Sequence, residues 1–319
     1  MPSAAVPVRF STSGLPDAQR IALWEDHNAN ALIGLRCHML GEGVLDATEL
    51  NLQLEHLHLA RVCGNPHVVE RPAPVIRRHP ADAIAVYLTL VGEAFFYHDD
   101  GVLTLRPGQA LICDADRPFM RGFSRGLEEL AIKVPRPVFF AATGLQSLDQ
   151  PLVRNFSRGD VAARTFARLV DRALRSEGAE PVDERAALSL LATLAGGRGP
   201  DLAAAHVANA RTFIEDHLTD PGLSAARVAA GIGLSERHLS RAFAATGTSV
   251  PRYVLARRLD LARTVLVSAP AATVAEVAAR CGFGSAAHFA QAFRSRFGER
   301  ATDVRRQVRA DRNRRKGRP

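Results

Sequence analysis

Apolar positions in the first third of the chain recur at every second residue. Leu50, Leu52, Leu54, His56 and His58 alternate with Asn51, Gln53 and Glu55, and Ile84, Val86, Leu88 and Leu90 repeat the pattern. A period of two puts alternate side chains on opposite faces, so both runs predict half-buried β-strands. Phe95 to Tyr97 continues after Gly92. Asp99, Asp100 and Gly101 then supply a hairpin turn, because glycine takes the positive φ that a tight turn demands. Val102 to Leu105, a Pro107-Gly108 turn and Leu111 to Cys113 follow as short strands. Such a series closes most simply as a small antiparallel barrel or a sandwich.

From Val161 the period becomes that of a helix. Phe166, Leu169, Val170 and Leu174 share one face, and Pro181, which cannot continue a helix, ends the segment. A second helix is predicted from Asp183, its N-cap, to Leu194. The run Gly196-Gly197-Arg198-Gly199-Pro200 cannot stay helical and marks a boundary. At 319 residues the chain is too long for one core. The expected division is a β domain over residues 1–155, a helical segment over 156–195, a linker over 196–205, an all-α domain over 206–305 and a basic tail over 306–319, an α+β fold in all.

One stretch of the last third occurs twice. Val228, Ala229, Gly233 and Leu234 lead to Ser235, His238, Leu239, Ala242 and Phe243. Val277, Ala278, Gly282 and Phe283 lead to Ser285, His288, Phe289, Ala292 and Phe293, at an offset of 49 and then 50 residues. Two helices that cross steeply need a small residue where they touch and a glycine in the turn between them. Ala229 with Gly233, and Ala278 with Gly282, meet those needs. Ser235 and Ser285 can each cap the second helix, whose buried stripe is Leu239/Phe243 or Phe289/Phe293. A plain helical hairpin would satisfy one copy; two copies with matching caps and turns predict a helix-turn-helix pair.

Charge agrees with that placement. Residues 201–319 carry 20 Lys+Arg and 10 Asp+Glu, net +10; the other 21 and 23 leave the first 200 residues at −2, which together give the chain's +8. The C-terminal third is therefore suited to a polyanion, and nearly all its cations are Arg, whose fork matches phosphate and guanine. No apolar run approaches the roughly 18 residues of a membrane span, and Met1 to Phe10 lacks a secretory pattern, so a cytoplasmic protein is expected. Cys37, Cys63, Cys113 and Cys281 are too widely spaced for zinc or redox motifs and read as reduced, mostly buried thiols. No cofactor or metal is expected.

Over about His206 to Arg305 the sequence resembles the AraC/XylS family of transcription regulators. The resemblance lies in Leu234 to Phe243, in Gly247 with Tyr253, in Arg257 to Leu266, and above all in Gly282-Phe283 through His288-Phe289 to Phe293 and Gly298. It implies two helix-turn-helix units joined by a long helix, here about Pro251 to Val267, whose recognition helices enter successive major grooves. Double-stranded operator DNA, RNA polymerase and a second copy of the chain are the partners it implies, and activation is the family's habit. Ala301 and Val304 stand where the family usually has Pro and an aromatic residue, which predicts a looser final helix.

Direct base readout is expected from the first recognition helix, where Arg237, Ser240 and Arg241 face outward alongside the cap Ser235; Arg237 also fits a simple solvated charge. The second recognition helix, Ser285 to Phe297, offers Ala286, Ala287 and Ala290 where relatives present polar groups. Ala287 can pack on thymine methyls, while Ser285, Gln291, Arg294 and Arg296 are expected to make phosphate and shape contacts. The tail from Arg305, with Arg312, Arg314, Arg315 and Lys316, lacks apolar residues and is expected to be disordered, either as a nonspecific phosphate grip or as a solvated end.

Phe10-Ser11-Thr12, Trp24 and the segment Leu105 to Asp114 through Pro118 resemble the cupin-type sensor domain of one subgroup of the same family. That implies a β-barrel holding a small-molecule effector, with the helices from Val161 to Leu194 mediating dimerisation. His56, His58, Tyr87 and Tyr97 are candidate pocket residues, being polar-tipped groups on predicted strands. His56 and His58, two apart, would also suit metal ligation, but no Glu follows at the enzymatic spacing and Arg117 stands where a late His ligand belongs. The competing readings are an enzyme fused to a DNA-binding module, either a metal cupin or a Cys-based alkyl-transfer protein, and an architectural DNA-bender.

Overall fold

The computed structural model describes residues 6–156, 160–175, 182–197, 202–269 and 271–316, with side chains up to residue 308. The chain divides into two compact units, Met1–Ala205 and His206–Pro319.

The first unit contains β1 (Val8–Ser11), α1 (Arg20–Ala31), β2 (Arg36–Met39), β3 (Ala47–Gln53), β4 (His58–Gly64), β5 (His67–Arg71), α2 (Ala73–Arg78), β6 (Ala83–Val91), β7 (Ala94–His98), β8 (Gly101–Leu105), β9 (Gln109–Asp114), β10 (Phe119–Phe123), β11 (Leu127–Pro135), α3 (Arg136–Thr143), β12 (Leu152–Asn155), α4 (Val161–Arg175) and α5 (Glu184–Ala195). Among the described residues the strands form two open antiparallel sheets rather than a closed barrel: β1-β3-β4-β11-β6-β9-β12 and β2-β5-β10-β7-β8. Both contribute to one apolar core: Ala60, Ala85, Leu111 and Ala131 from the first sheet, and Val69, Phe96, Phe119 and Phe123 from the second. Trp24 of α1 enters the same core.

The other face of the seven-stranded sheet is covered by helices: α4 packs on β3, β4 and β11, and α3 on β6 and β11. Its central strands are therefore buried on both sides. Ile84, Val86 and Leu88 are fully buried, but so are most of the residues between them, and the half-solvated alternation read from the sequence is replaced by a strand without a wet face. Asp183 caps α5 by accepting from the Ala186 N–H, and Gly196 closes it in the left-handed conformation. Pro181, the predicted stop of the preceding helix, lies outside the described residues, as does the linker stretch 198–200.

One predicted strand is divided. The alternation from Leu50 to His58 spans a hairpin, with β3 ending at Gln53 and β4 starting at His58. Leu54 N–H donates to the Leu57 carbonyl at 2.8 Å, and Glu184 of α5 accepts from the N–H groups of His56 and Leu57. That carboxylate holds the tip of the hairpin from outside, a partner 127 residues away that the local pattern does not contain.

The boundary between the units falls inside α6 (Leu202–Asp216); the helical unit continues with α7 (Ala225–Gly231), α8 (Glu236–Ala244), α9 (Val250–Ser268), α10 (Val274–Arg280), α11 (Ala286–Phe297) and α12 (Ala301–Lys316). It has two cores that share α9. Val250 and Val254 pack with Ile214, Val228, Leu239 and Phe243, whereas Leu259, Ala262 and Leu266 pack with Val277, Phe289 and Phe293. Ala301 and Val304 bury into the second core and anchor α12, which runs on to Lys316 through residues whose composition predicts disorder. A buried first turn supplies the nucleus, and Arg, Gln and Ala are good helix formers, so propagation needs no further apolar face.

Candidate nucleic-acid interface and interior cavity

The two repeats have the same local construction. Ser235 Oγ accepts from the His238 N–H, and Ser285 Oγ from the His288 N–H, each at 3.3 Å, so that both serines cap the helix that follows. Gly233 and Gly282 make the turns with φ of +71° and +80°, a region costly for side chains with a Cβ. At Gly282 a Cβ would also lie 2.9 Å from the Leu218 carbonyl oxygen. Val228, Ala229, Leu239 and Phe243 are buried in the first copy, as are Val277, Ala278, Phe289 and Phe293 in the second.

Burial on one face of α8 leaves Arg237, Ser240 and Arg241 exposed together on the other, at spacings of three and four. Neither arginine forms an ion pair with a described residue. On α11 the exposed face carries Ala286, Ala287, Ala290, Gln291 and Arg294. Arg296 stands apart from that face: its guanidinium is held by Asp260 of α9 at 2.8 to 3.1 Å and lies 5.6 Å from the Phe297 ring. Arg257 is likewise taken by Glu215, and Arg227 by Asp220. The exposed forks are thus a subset of the basic residues, and the sequence does not separate them from the structural ones.

In the first unit a cavity of about 50 Å³ opens between the sheets, walled by Val62, Ala85, Phe123, Leu127 and Ala131. Tyr87 lines it. Arg121 of β10 crosses the interior to pair with Glu129 of β11 through two bonds of 2.9 and 2.7 Å, and its guanidinium lies 3.8 Å from the Tyr87 ring centroid. His67, Trp24, Asn28 and Lys133 complete the polar lining. The His67 Nδ1–H donates to the Asn65 carbonyl at 2.7 Å, and burial pulls the ring's pKa down.

The other candidate pocket residues lie elsewhere. His56 is exposed at the hairpin tip beside Glu184, His58 begins β4, and Tyr97 is 41 % exposed, so the shared strand face read for His56 and His58 does not form. His58 Nε2–H donates to Asn51 Oδ1 at 2.9 Å, and Asn51 Nδ2–H donates to His27 Nε2 at 3.0 Å. Burial, with Lys133 and His27 nearby, lowers the His58 pKa to about 4. Arg117 is paired with Asp149 at the surface. Burial pushes the thiols of Cys37 and Cys113 up to about 12, and those of Cys63 and Cys281 upward too, the wrong direction for a nucleophilic thiolate. Arg121, Glu129 and Lys133 were not visible as site residues in the sequence. The available signal was charge on interior-facing positions of otherwise apolar strands, as in Phe119-Met-Arg-Gly-Phe123.

A two-sheet domain with an interior cavity, followed by paired helix-turn-helix units, defines a DNA-binding transcription regulator. Comparison with known proteins gives the same class. An AraC-binding-like domain matches residues 24–210, and a helix-turn-helix domain matches residues 228–307. The chain is 25 % identical over 253 residues to the transcriptional activator NphR of a Rhodococcus species, covering 76 % of this chain and 75 % of that one. It is 34 % identical over 101 residues to the transcriptional activator RhrA of Rhizobium meliloti strain 1021, covering 31 % and 32 %. The crystal structure of the AraC-like transcriptional activator CuxR shares the fold, with a TM-score of 0.50 at 20 % identity over 79 % of this chain and 94 % of that one. The chain belongs to the AraC/XylS family of transcription regulators. No helix among the described residues is long and apolar enough to cross a membrane.

Proposed function

We propose that this regulator reads a double-stranded operator chiefly through α8 and responds to a small molecule bound between its sheets. The observation that carries the reading is the exposed triad Arg237, Ser240 and Arg241, which rises from a capped helix with its opposite face locked into a core. Arg241 and Arg237 donate to guanine edges, and Ser240 fits beside them. The α11 surface works differently: Ala287 packs on thymine methyls, Gln291 and Arg294 touch the backbone, and Ser285 orients the helix as its cap. Arg296 braces α11 on α9 through Asp260.

The interior cavity serves as the effector site, α4 and α5 as the dimer contact, and the outcome at the promoter is activation through RNA polymerase. The domain roles follow: sensing over residues 1–155, association over 156–195 and operator binding from 206. Selection of bound duplexes from random-sequence DNA by the full-length protein tests the reading. A defined sequence spanning two successive major grooves is expected. Recovery of unrelated sequences with equal affinity would overturn it in favour of an architectural DNA-binding role.

A further inference from the structure

Strand register explains why the first unit has an interior space. Ala60 pairs with Ala131, and Ala131 with Tyr87; in the neighbouring row Lys133 lies between His58 and Ala85. Ala85 and Ala131 therefore floor the cavity with methyl groups where larger side chains would fill it.

The charges around that floor do not balance. Glu129 is spent on Arg121 through two hydrogen bonds, so that pair presents little net charge. Lys133, half-buried in the same lining, forms no ion pair or hydrogen bond with a described residue. Its main attraction is to Asp116, a carboxylate already held by Arg71 and by the N–H groups of Ala81 and Asp82. Burial and the positive Arg71 pull the Lys133 pKa down, as they must for a cation short of a counter-charge. A second group is also unmet. Trp24 lines the cavity from α1, and its indole Nε1–H is buried with no acceptor among the described residues. A buried donor without an acceptor costs free energy that a ligand oxygen would return.

We infer that the effector is a small organic acid, whose carboxylate sits against Lys133, whose apolar body lies over Ala85 and Ala131, and which offers an acceptor to the Trp24 indole N–H. An amine does not fit, because the only carboxylate in the lining is the one occupied by Arg121. This inference rests on the reading of the cavity as the effector site.

Trp24 is the chain's single tryptophan, so its fluorescence reports on the cavity in the full-length protein. The test titrates benzoate and hexanoate against the matched neutral amides, benzamide and hexanamide, following fluorescence and melting temperature. The acids are expected to bind about tenfold more tightly than the amides, the scale of one charge-assisted hydrogen bond. Lys133→Met should erase that ratio, and Ala131→Leu should block acids and amides alike while circular dichroism shows an unchanged fold. Equal binding of acid and amide, a ratio unchanged in Lys133→Met, or no response to either acid overturns the acid assignment. Binding that survives Ala131→Leu instead overturns the cavity as the effector site.

Discussion

Arg121 and Glu129 are joined across the two sheets by a two-pronged ion pair whose side chains are only 2 % and 5 % exposed. Each ion has left water on the condition that the other is present. Arg121→Met is therefore expected to destabilise the first unit by about 3 to 5 kcal/mol, because it strands a buried carboxylate. The double variant Arg121→Met/Glu129→Leu should recover most of that loss. Urea unfolding followed by Trp24 fluorescence, which senses this unit alone, measures both; equal losses in the single and double variants would contradict the account.

Arg241 and Arg294 are expected to fail in different ways. Arg241→Ala should cost about 1 to 3 kcal/mol on the selected operator and relax discrimination at one base pair. Arg294→Ala should weaken all sequences similarly and lower the slope of log affinity against log salt by about 1. Competition binding over a salt series separates the two patterns.

The caps are testable on stability. Ser235→Ala and Ser285→Ala each remove the acceptor for one N-terminal amide and are expected to cost about 1 kcal/mol. Gly at the same positions should cost only a few tenths. Denaturant unfolding followed by helical circular dichroism provides the comparison.

His58 predicts a direction with pH. Its pKa falls from 6.5 to about 4 in the folded chain, so the fold favours the neutral ring. The unfolded chain then takes up a proton first as pH drops. The stability from this residue is complete above about 6.5 and is lost as pH falls through the window down to about 4. Melting temperature should decline over that interval, and His58→Gln should make the decline shallower.

The basic end of α12 bears on salt dependence. Removing the residues after Arg309 takes away Arg312, Arg314, Arg315, Lys316 and Arg318. If they grip phosphates, operator binding will become less steeply dependent on salt; an unchanged slope would mark them as solvated charge.

What the sequence disclosed follows the range of the interactions. Ser235 with His238, Gly233 and the Leu239/Phe243 stripe are all within a few residues of one another, so the helix-turn-helix units could be read locally, and repetition reinforced them. The cavity could not. Arg121 and Glu129 are eight residues apart but on different sheets, and nothing short of the strand order brings them face to face. His56 misled because alternation runs unbroken through a hairpin whose tip is fixed by the distant Glu184. Arg296 resembled its neighbour Arg294 until the packing of α11 on α9 paired it with Asp260.

Because α9 contributes side chains to both helical cores, it acts as the ruler between the two helix-turn-helix units. Nineteen residues give it a length of about 28 Å. Adding one residue near its middle would lengthen it by about 1.5 Å but turn one unit against the other by about 100°. If the two units dock together as proposed, an operator with altered half-site separation is expected to bind more weakly, because α9 fixes their phase.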